Sequence, residues 1–197
     1  MARKSLNAEF LSADELERLG VVNAAARNIL IHRTCVILDF ESISFGKNIR
    51  IDPHCVITCK NLCLGDYIHI AGGCTLSGGA RISMENFSGL SNHCLVYSAS
   101  DDYSGHNLTN PMVPLRFTKT NVADVHIGQH AILGARTTVL PWARIGEGAS
   151  TGIGTLVKHD LAEWTIYAGV PAAPLKARAR GCLKQEAALL ASLKTSK

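Results

Sequence analysis

The sequence has 197 residues, of which 47% are hydrophobic and 18% are charged, and this composition excludes a disordered or fibrous chain. Its 20 basic and 16 acidic residues leave a net charge of +4, too small an excess to predict a nucleic-acid-binding protein. Aromatic residues make up only 6%, whereas there are 17 glycines, which favours a regular β structure with a core of small aliphatic side chains.

The N-terminus lacks the apolar stretch of a signal peptide, and no later run approaches the roughly 18 apolar residues of a membrane span. We therefore expect no membrane insertion. The seven cysteines are an odd number and none form a CxxC pair, so a cytoplasmic protein is more consistent with the sequence than a secreted one.

The first predicted element is a short helix within residues 1–24. Ser12 and Glu15 have the spacing of a capping box, and Leu16 and Leu19 follow as apolar residues of the same helix.

A six-residue repeat begins clearly at Ile127. An aliphatic residue or threonine holds each first position: Ile127, Leu133, Val139, Ile145 and Thr151. The second position is usually glycine, and the fifth is alanine or threonine. A helix would repeat its apolar residues every three or four positions and a strand every two, so a period of six predicts short strands joined by turns on the sides of a prism.

The same pattern occurs earlier, in sets of three hexapeptides that start at Phe45, Leu64 and Met84. The sets are 19 and 20 residues apart, so each predicts one coil of a triangular parallel solenoid spanning residues 25–170. Four cysteines share the fifth place of the middle hexapeptide and are expected to form one inward column: Cys35, Cys55, Cys74 and Cys94.

Two segments interrupt the repeat. Residues 98–124 are polar and contain two prolines, which predicts a protruding functional loop. Residues 171–197 form a separate tail, in which the segment 176–194 has a helical pattern. The apolar side of this predicted helix consists of Leu183, Ala187, Leu190 and Leu193.

With this register, the chain resembles the left-handed parallel β-helix acyltransferases, in particular bacterial sugar O- and N-acetyltransferases of the galactoside acetyltransferase and O-antigen type. Four segments carry the resemblance: FLSADELERLG, YSASDDYSGHNLTNP, IGQHAILGARTTVLPWARIGEGASTGIGTLVKHD and IYAGVPAAPLKAR. The resemblance implies an all-β, left-handed parallel β-helix with a helix at each end. It also implies acetyl-CoA as donor, no metal, a sugar acceptor in surface polysaccharide or lipopolysaccharide biosynthesis, and a homotrimer with active sites in the clefts between neighbouring prisms.

Transfer to a sugar hydroxyl requires a group that removes a proton, and histidine suits this role near neutral pH. His106 is our first candidate for the general base, because it lies in the polar loop close to Asp101 and Asp102 and matches the loop histidine of the galactoside acetyltransferases. His130, which follows the loop at a prism corner, is the second candidate. Either could instead be an ordinary exposed histidine.

Two further groups of residues are candidates for substrate contacts. The loop residues that could bind the acceptor or orient the base are Asp101, Asp102, Tyr103 and Asn107. The residues that the resemblance or their charge relates to acetyl-CoA are Gly134, Ala135, Ile153, Lys158, Lys176 and Arg178. Local turn formation and a solvated basic tail are the alternative explanations.

Two other functions remain open from the sequence. A γ-type carbonic anhydrase on the same fold would use His93, His126 and His130 as zinc ligands. A non-catalytic β-helix scaffold would not need the loop. The sequence also leaves open the identity of the acceptor sugar, and whether a hydroxyl or an amino group receives the acyl group.

Overall fold

The fold is given by a computed structural model that describes residues 9–195. Residues 1–8 and 196–197, which belong to the predicted end segments, lie outside the described residues. Short parallel strands form three flat faces of a prism. The first face contains seven parallel strands: Ile29–Ile31, Ile49–Ile51, Ile68–Ile70, Gly89–Leu90, Ile132–Leu133, Ser150–Thr151 and Thr165–Ala168. The predicted boundaries of the solenoid, after residue 24 and after residue 170, stay predictions.

The second and third faces are partly continuous, because two long strands cross the corner between them. These strands are Val56–Leu64 and Thr75–Met84. The second face also contains Val36–Ile37, Leu95–Tyr97, Thr138–Val139 and Leu156–Val157. The third face also contains Ile43–Phe45, Val125–Ile127 and Arg144–Ile145, with a 3-10 turn at Phe40–Ser42 before it.

Turns between the faces form three corners, which we number by the faces they join. The first corner, between the first and second faces, consists of residues 52–54, 71–73, 91–93, 134–136 and 152–154. The second corner, between the second and third faces, includes residues 140–142 and 158–160 and carries the segment 98–124. The third corner consists of residues 46–48, 65–67, 85–87, 128–130, 146–148 and 162–164.

The six-residue register is confirmed. Ile51 pairs with Ile70, Leu76 pairs with Val96, and Val96 pairs with Val139 across the long interruption. These side chains are buried in one continuous core. The predicted all-β fold, a left-handed parallel β-helix with a helix at each end, is therefore confirmed.

The cysteine column is confirmed as a packing feature of the first corner. The Sγ of Cys55 donates to the carbonyl oxygen of Ala71 at 3.3 Å, and that of Cys74 donates to Ser91 O at 3.1 Å. Thr137 and Thr155 take the same place in later coils, and each hydroxyl also donates to a corner carbonyl. All seven cysteines are unpaired thiols.

The N-terminal segment covers the open end of the first coil. Helix α1, Ala13–Arg18, has the predicted capping box, in which the Ser12 hydroxyl accepts from Glu15 N and the Glu15 carboxylate accepts from Ser12 N. Leu16 is buried in the core beneath it. Such a cover prevents the first strand from acting as an exposed sheet edge.

The C-terminal end differs from the prediction. A strand, Ala173–Ala177, runs antiparallel to Thr165–Ala168 and covers the last coil, and helix α2 begins only at Gly181 and ends at Thr195. The prediction that residues 176–180 are helical is wrong, because this segment instead supplies backbone hydrogen bonds to the otherwise open last strand. Two leucines of the predicted apolar side, Leu190 and Leu193, are exposed.

An aromatic column runs along the third corner. Tyr67 stacks on Phe87 with ring centroids 4.6 Å apart, Phe87 stacks on His130 at 5.3 Å, and His130 meets Trp164 at 6.0 Å. Gly148 lies between the last two, with a positive φ of 63°. A Cβ at this position would be 2.4 Å from the Trp164 ring.

Replacing Gly148 with alanine is expected to lower the free energy of unfolding by about 2–4 kcal/mol, from the left-handed backbone together with displacement of Trp164. Gly154→Ala is a matched control, because Gly154 has φ 71° but open space around it. We expect about 1–2 kcal/mol for that control, from the backbone alone. Denaturant unfolding of both variants measures the difference, and equal losses would contradict a role for the ring contact.

Candidate active site

Residues 98–124, which interrupt the six-residue repeat, form a β arm on the second corner. Its base is a hairpin in which Ala99–Asp101 pairs antiparallel with Thr120–Val122, and a 3-10 turn at Leu115–Phe117 lies further along. Buried Ser98 fixes the start of the arm, because its Oγ donates to Ala80 O at 3.0 Å. The predicted protrusion at residues 98–124 is thus a structured element that leaves one corner and returns to the next face.

A cavity of about 550 Å³ lies where the arm meets the prism. Its lining residues are Tyr97, Ala99, Ser100, Asp101, Tyr103, Thr120 and Leu140. Asp101 and Tyr103 are two of the predicted acceptor-binding residues. Tyr97 and Leu140 were not predicted, although they directly follow the register partners Val96 and Val139 and the repeat could have identified them.

The loop beyond the hairpin is organised by its own side chains. The Asp102 carboxylate accepts from Ser104 N at 2.9 Å and from the Asn107 amide at 2.6 Å. The hydrogen bonds from Ser104 and Asn107 lower the pKa of Asp102 to about 2, so this carboxylate is ionised at neutral pH. The Ser104 hydroxyl also lies 2.7 Å from Nδ1 of His106. His106 is exposed and is not among the residues that line the cavity.

Three of the predicted donor residues lie together on the first corner: Gly134, Ala135 and Ile153. A Cβ on Gly134 would be 2.5 Å from the carbonyl oxygen of Thr151, so only glycine allows the coils to stack this closely here. Its N–H donates to that same oxygen at 3.1 Å. Ile153 is 79% exposed, which leaves an apolar surface on this corner.

The remaining donor candidates are dispersed. Lys158 is exposed on the second corner, and Lys176 is exposed in the final strand. Arg178 is half-buried, and its Nη1 donates to the carbonyl oxygens of His130 at 2.8 Å and Gly148 at 2.9 Å. This guanidinium therefore holds the tail against the third corner.

His130, the second candidate for the base, is buried on the third corner and is only 6% exposed. Its Nε2 lies 2.9 Å from the Glu186 carboxylate of helix α2, and the neighbouring Gln129 side chain donates to the same carboxylate at 3.2 Å. The structure thus places His130 at the attachment point of the C-terminal helix, on a different corner from the arm cavity.

The predicted acceptor and donor residues therefore occupy two different corners of one prism. Gly134 and Leu140 are separated by one hexapeptide, so the first and second corners are at most about 20 Å apart across the second face. Within residues 9–195 of a single chain, no three potential metal ligands lie close enough to hold an ion. Over the same range, no helix has the length and apolarity needed to cross a membrane.

Comparison with known proteins identifies enzymes that are similar to this chain. No family model matches the chain. The dTDP-4-amino-4,6-dideoxy-D-glucose acyltransferase of Escherichia coli is 31% identical over 179 residues, covering 90% of this chain and 93% of that protein. WbbJ of E. coli K12, provisionally named a lipopolysaccharide biosynthesis O-acetyl transferase, is 32% identical over 158 residues, covering 75% of this chain and 78% of WbbJ.

Among solved structures, AntD, an N-acyltransferase from Bacillus cereus in complex with dTDP and 3-hydroxybutyryl-CoA, is 34% identical. The two structures superpose with a TM-score of 0.89 over 95% of this chain and 99% of AntD. Because the E. coli acyltransferase of the dTDP-amino sugar and AntD match this chain at more than 30% identity over more than nine-tenths of their own length, the chain belongs to the hexapeptide-repeat sugar acyltransferases and is an acyltransferase.

Proposed function

We propose that the enzyme transfers an acyl group from acyl-CoA, with acetyl-CoA as the expected donor, to the amino group of a nucleotide-linked amino sugar. The observation that carries this proposal is the similarity, over nearly the whole chain, to enzymes named for a dTDP-4-amino sugar and solved with dTDP and an acyl-CoA. The carboxylate of Asp101 in the arm cavity supports an acceptor that carries hydrogen-bond donors.

In the proposed reaction, the acceptor nitrogen attacks the thioester carbonyl carbon. The C–N bond forms, the C–S bond breaks, and CoA leaves. Asp101 holds the amino group, and His106 accepts the proton that the nitrogen loses and returns it to the departing thiolate. The small and apolar first corner, with Gly134, Ala135 and Ile153, receives the pantetheine arm of the donor.

We propose a homotrimer, because one face of the prism is unusually apolar on its outer side. The outward residues of the second face include Val36, Val56, Leu95 and Leu156, together with Thr75 and Thr138. Parallel sheets are normally covered on both sides. On the arm, Tyr103, Met112 and Leu115 are each nearly nine-tenths exposed, which also favours contact with a neighbouring copy.

If three copies packed around their second faces, the predicted donor residues and the predicted acceptor residues would come together. The first corner of one copy would meet the arm of the next, so that each active site combines the donor residues of one chain with the acceptor residues of its neighbour. The similarity to WbbJ supports a role in surface polysaccharide biosynthesis. Seven unpaired cysteines support a cytoplasmic location.

The proposal is tested by measuring thiol release from acetyl-CoA with three acceptors. We expect turnover with dTDP-4-amino-4,6-dideoxyglucose, and at least about tenfold less with dTDP-glucose or with the free amino sugar, because neither offers both the amine and the nucleotide. Mass spectrometry of the product should show an amide. Preferred transfer to dTDP-glucose would contradict N-acylation and favour the O-acetylation suggested by WbbJ.

A further inference from the structure

The cavity where the arm meets the prism has two chemically different sides. The arm side carries the polar groups of Ser100, Asp101 and Thr120, and the Thr120 hydroxyl donates to the Asp101 carboxylate at 3.5 Å. The prism side consists of Tyr97 and Leu140. The reaction proposed above uses the arm side, where Asp101 holds the acceptor amine, and leaves the prism side without a role.

Leu140 departs from the six-residue repeat. In the other hexapeptides after the arm, glycine holds the second position, at Gly128, Gly134, Gly146 and Gly152. The Leu140 N–H donates to the carbonyl oxygen of Val157 at 2.9 Å, so the backbone keeps its bond to the next coil. The leucine therefore adds a half-buried apolar side chain to the cavity wall, and a smaller residue there would leave this backbone hydrogen bond in place.

Tyr97 and Leu140 occupy the same place in two consecutive coils. They directly follow the register partners Val96 and Val139, so their Cα atoms lie one coil step, about 4.8 Å, apart. In this row, Tyr97 and Leu140 are the two residues that line the arm cavity. The other members of the row are Leu38, Thr58, Ser77 and Lys158.

The acyl group of the donor has to lie against this prism wall. Its carbonyl carbon must approach the amine held by Asp101 to within about 3–3.5 Å, so the rest of the acyl group also lies inside the cavity. A hydrocarbon chain packed against Asp101 and Ser100 would desolvate their polar groups without replacing the lost hydrogen bonds. A chain longer than acetyl therefore extends toward Leu140, whose side chain occupies that part of the cavity wall.

We propose that Leu140 is a specificity-determining residue that restricts the transferred acyl group to acetyl. This inference rests on the proposed function, because it takes the arm cavity as the place of transfer. Acyl length is an informative variable, since the similar enzyme AntD was solved with the longer 3-hydroxybutyryl-CoA. A close-fitting apolar wall discriminates by about tenfold or more for each added methylene, so the two additional methylenes of butyryl-CoA give a measurable difference.

The test measures kcat/KM for acetyl-CoA and for butyryl-CoA in wild type, Leu140→Ala and Leu140→Gly, with dTDP-4-amino-4,6-dideoxyglucose as acceptor. We expect wild type to prefer acetyl-CoA at least about tenfold. The ratio of the butyryl-CoA value to the acetyl-CoA value should rise from wild type through Leu140→Ala to Leu140→Gly, by roughly tenfold or more in total.

Leu38→Ala is the matched control, because Leu38 is an exposed leucine of the same row that does not line the cavity. Its ratio of the two kcat/KM values should stay within twofold of wild type. Thermal unfolding of each variant establishes that it is folded.

Calorimetric titration with acetyl-CoA and butyryl-CoA, each without acceptor, separates this inference from the proposed function. If the amino sugar is acylated but wild type and both Leu140 variants share one ratio, the inference is overturned and the proposed function stands. If no amino-sugar nucleotide is acylated, yet Leu140→Gly lowers the Kd for butyryl-CoA relative to acetyl-CoA by roughly tenfold, the proposed function fails and the role of Leu140 stands. Unchanged Kd values in that case would overturn both, and a wild type that uses butyryl-CoA as well as acetyl-CoA would refute the restriction outright.

Discussion

Two variants that are each inactive alone are expected to restore activity when they assemble in the same trimer. Asp101→Ala removes the carboxylate from the arm cavity, and Ala135→Trp fills the first corner where the donor is proposed to bind. We expect each to lower kcat/KM by roughly 10²-fold or more, since the first removes a contact with the acceptor and the second blocks the donor.

The reason for restoration is that the two residues lie on different corners of one prism. If each active site combines the first corner of one copy with the arm of its neighbour, a mixed trimer contains some sites with neither substitution. In a trimer that contains both variants, one of the three sites carries neither substitution, so the doubly purified protein should recover about a third of wild-type activity.

Co-expression of the two variants with different affinity tags, followed by purification through both tags, provides the mixed trimers. The control is a chain with both substitutions, which should be inactive alone and should not rescue either single variant. Mixed trimers no more active than the separate variants would show that both residues act within one chain. A monomer in sedimentation analysis would contradict the shared site outright.

Much of the fold could be predicted because its core depends on strictly local spacing. An inward residue every six positions is fixed by the geometry of one face, so the pairing of Val96 with Val139 could be deduced although 42 residues intervene, most of them in the arm. The cysteine column followed from the same register. Its continuation through Thr137 and Thr155 could have been deduced in the same way.

The C-terminal tail was harder to predict because its attachment is polar and distant in sequence. Helix α2 was predicted from its apolar side, yet it is attached to the prism through a hydrogen bond between Glu186 and His130, 56 residues earlier. Nothing in the spacing of either residue indicates this pairing. His130 was chosen as a candidate base from its place at a prism corner, and that place does not indicate that its imidazole is buried against Glu186.

The candidate site was predictable in part. The loop sequence indicated Asp101 and Tyr103, which line the arm cavity. The packing of the His93 ring over Gly73 on the first corner was missed, because it depends on the absence of a side chain at Gly73. A contact of this kind is a property of stacked coils and has no counterpart in the spacing of polar residues.

Replacing His106 with alanine is expected to slow acyl transfer at least about tenfold, since a positioned general base contributes typically 10²–10⁴-fold and an amine needs less assistance than a hydroxyl. Single-turnover transfer at saturating acetyl-CoA and acceptor measures the chemical step. Ser104→Ala is the control: it removes the hydroxyl that lies 2.7 Å from the His106 ring but keeps the imidazole, so transfer should stay within about threefold.

Added imidazole gives a readout that a structural role would not move. If His106 carries the proton, free imidazole should recover part of the rate in His106→Ala and should have no effect on Asp101→Ala, because the carboxylate binds the amine instead of exchanging its proton. Unchanged turnover in His106→Ala would refute the general base. The acceptor amine would then lose its proton without His106, and Asp101 would remain the group on the arm that positions the attacking nitrogen.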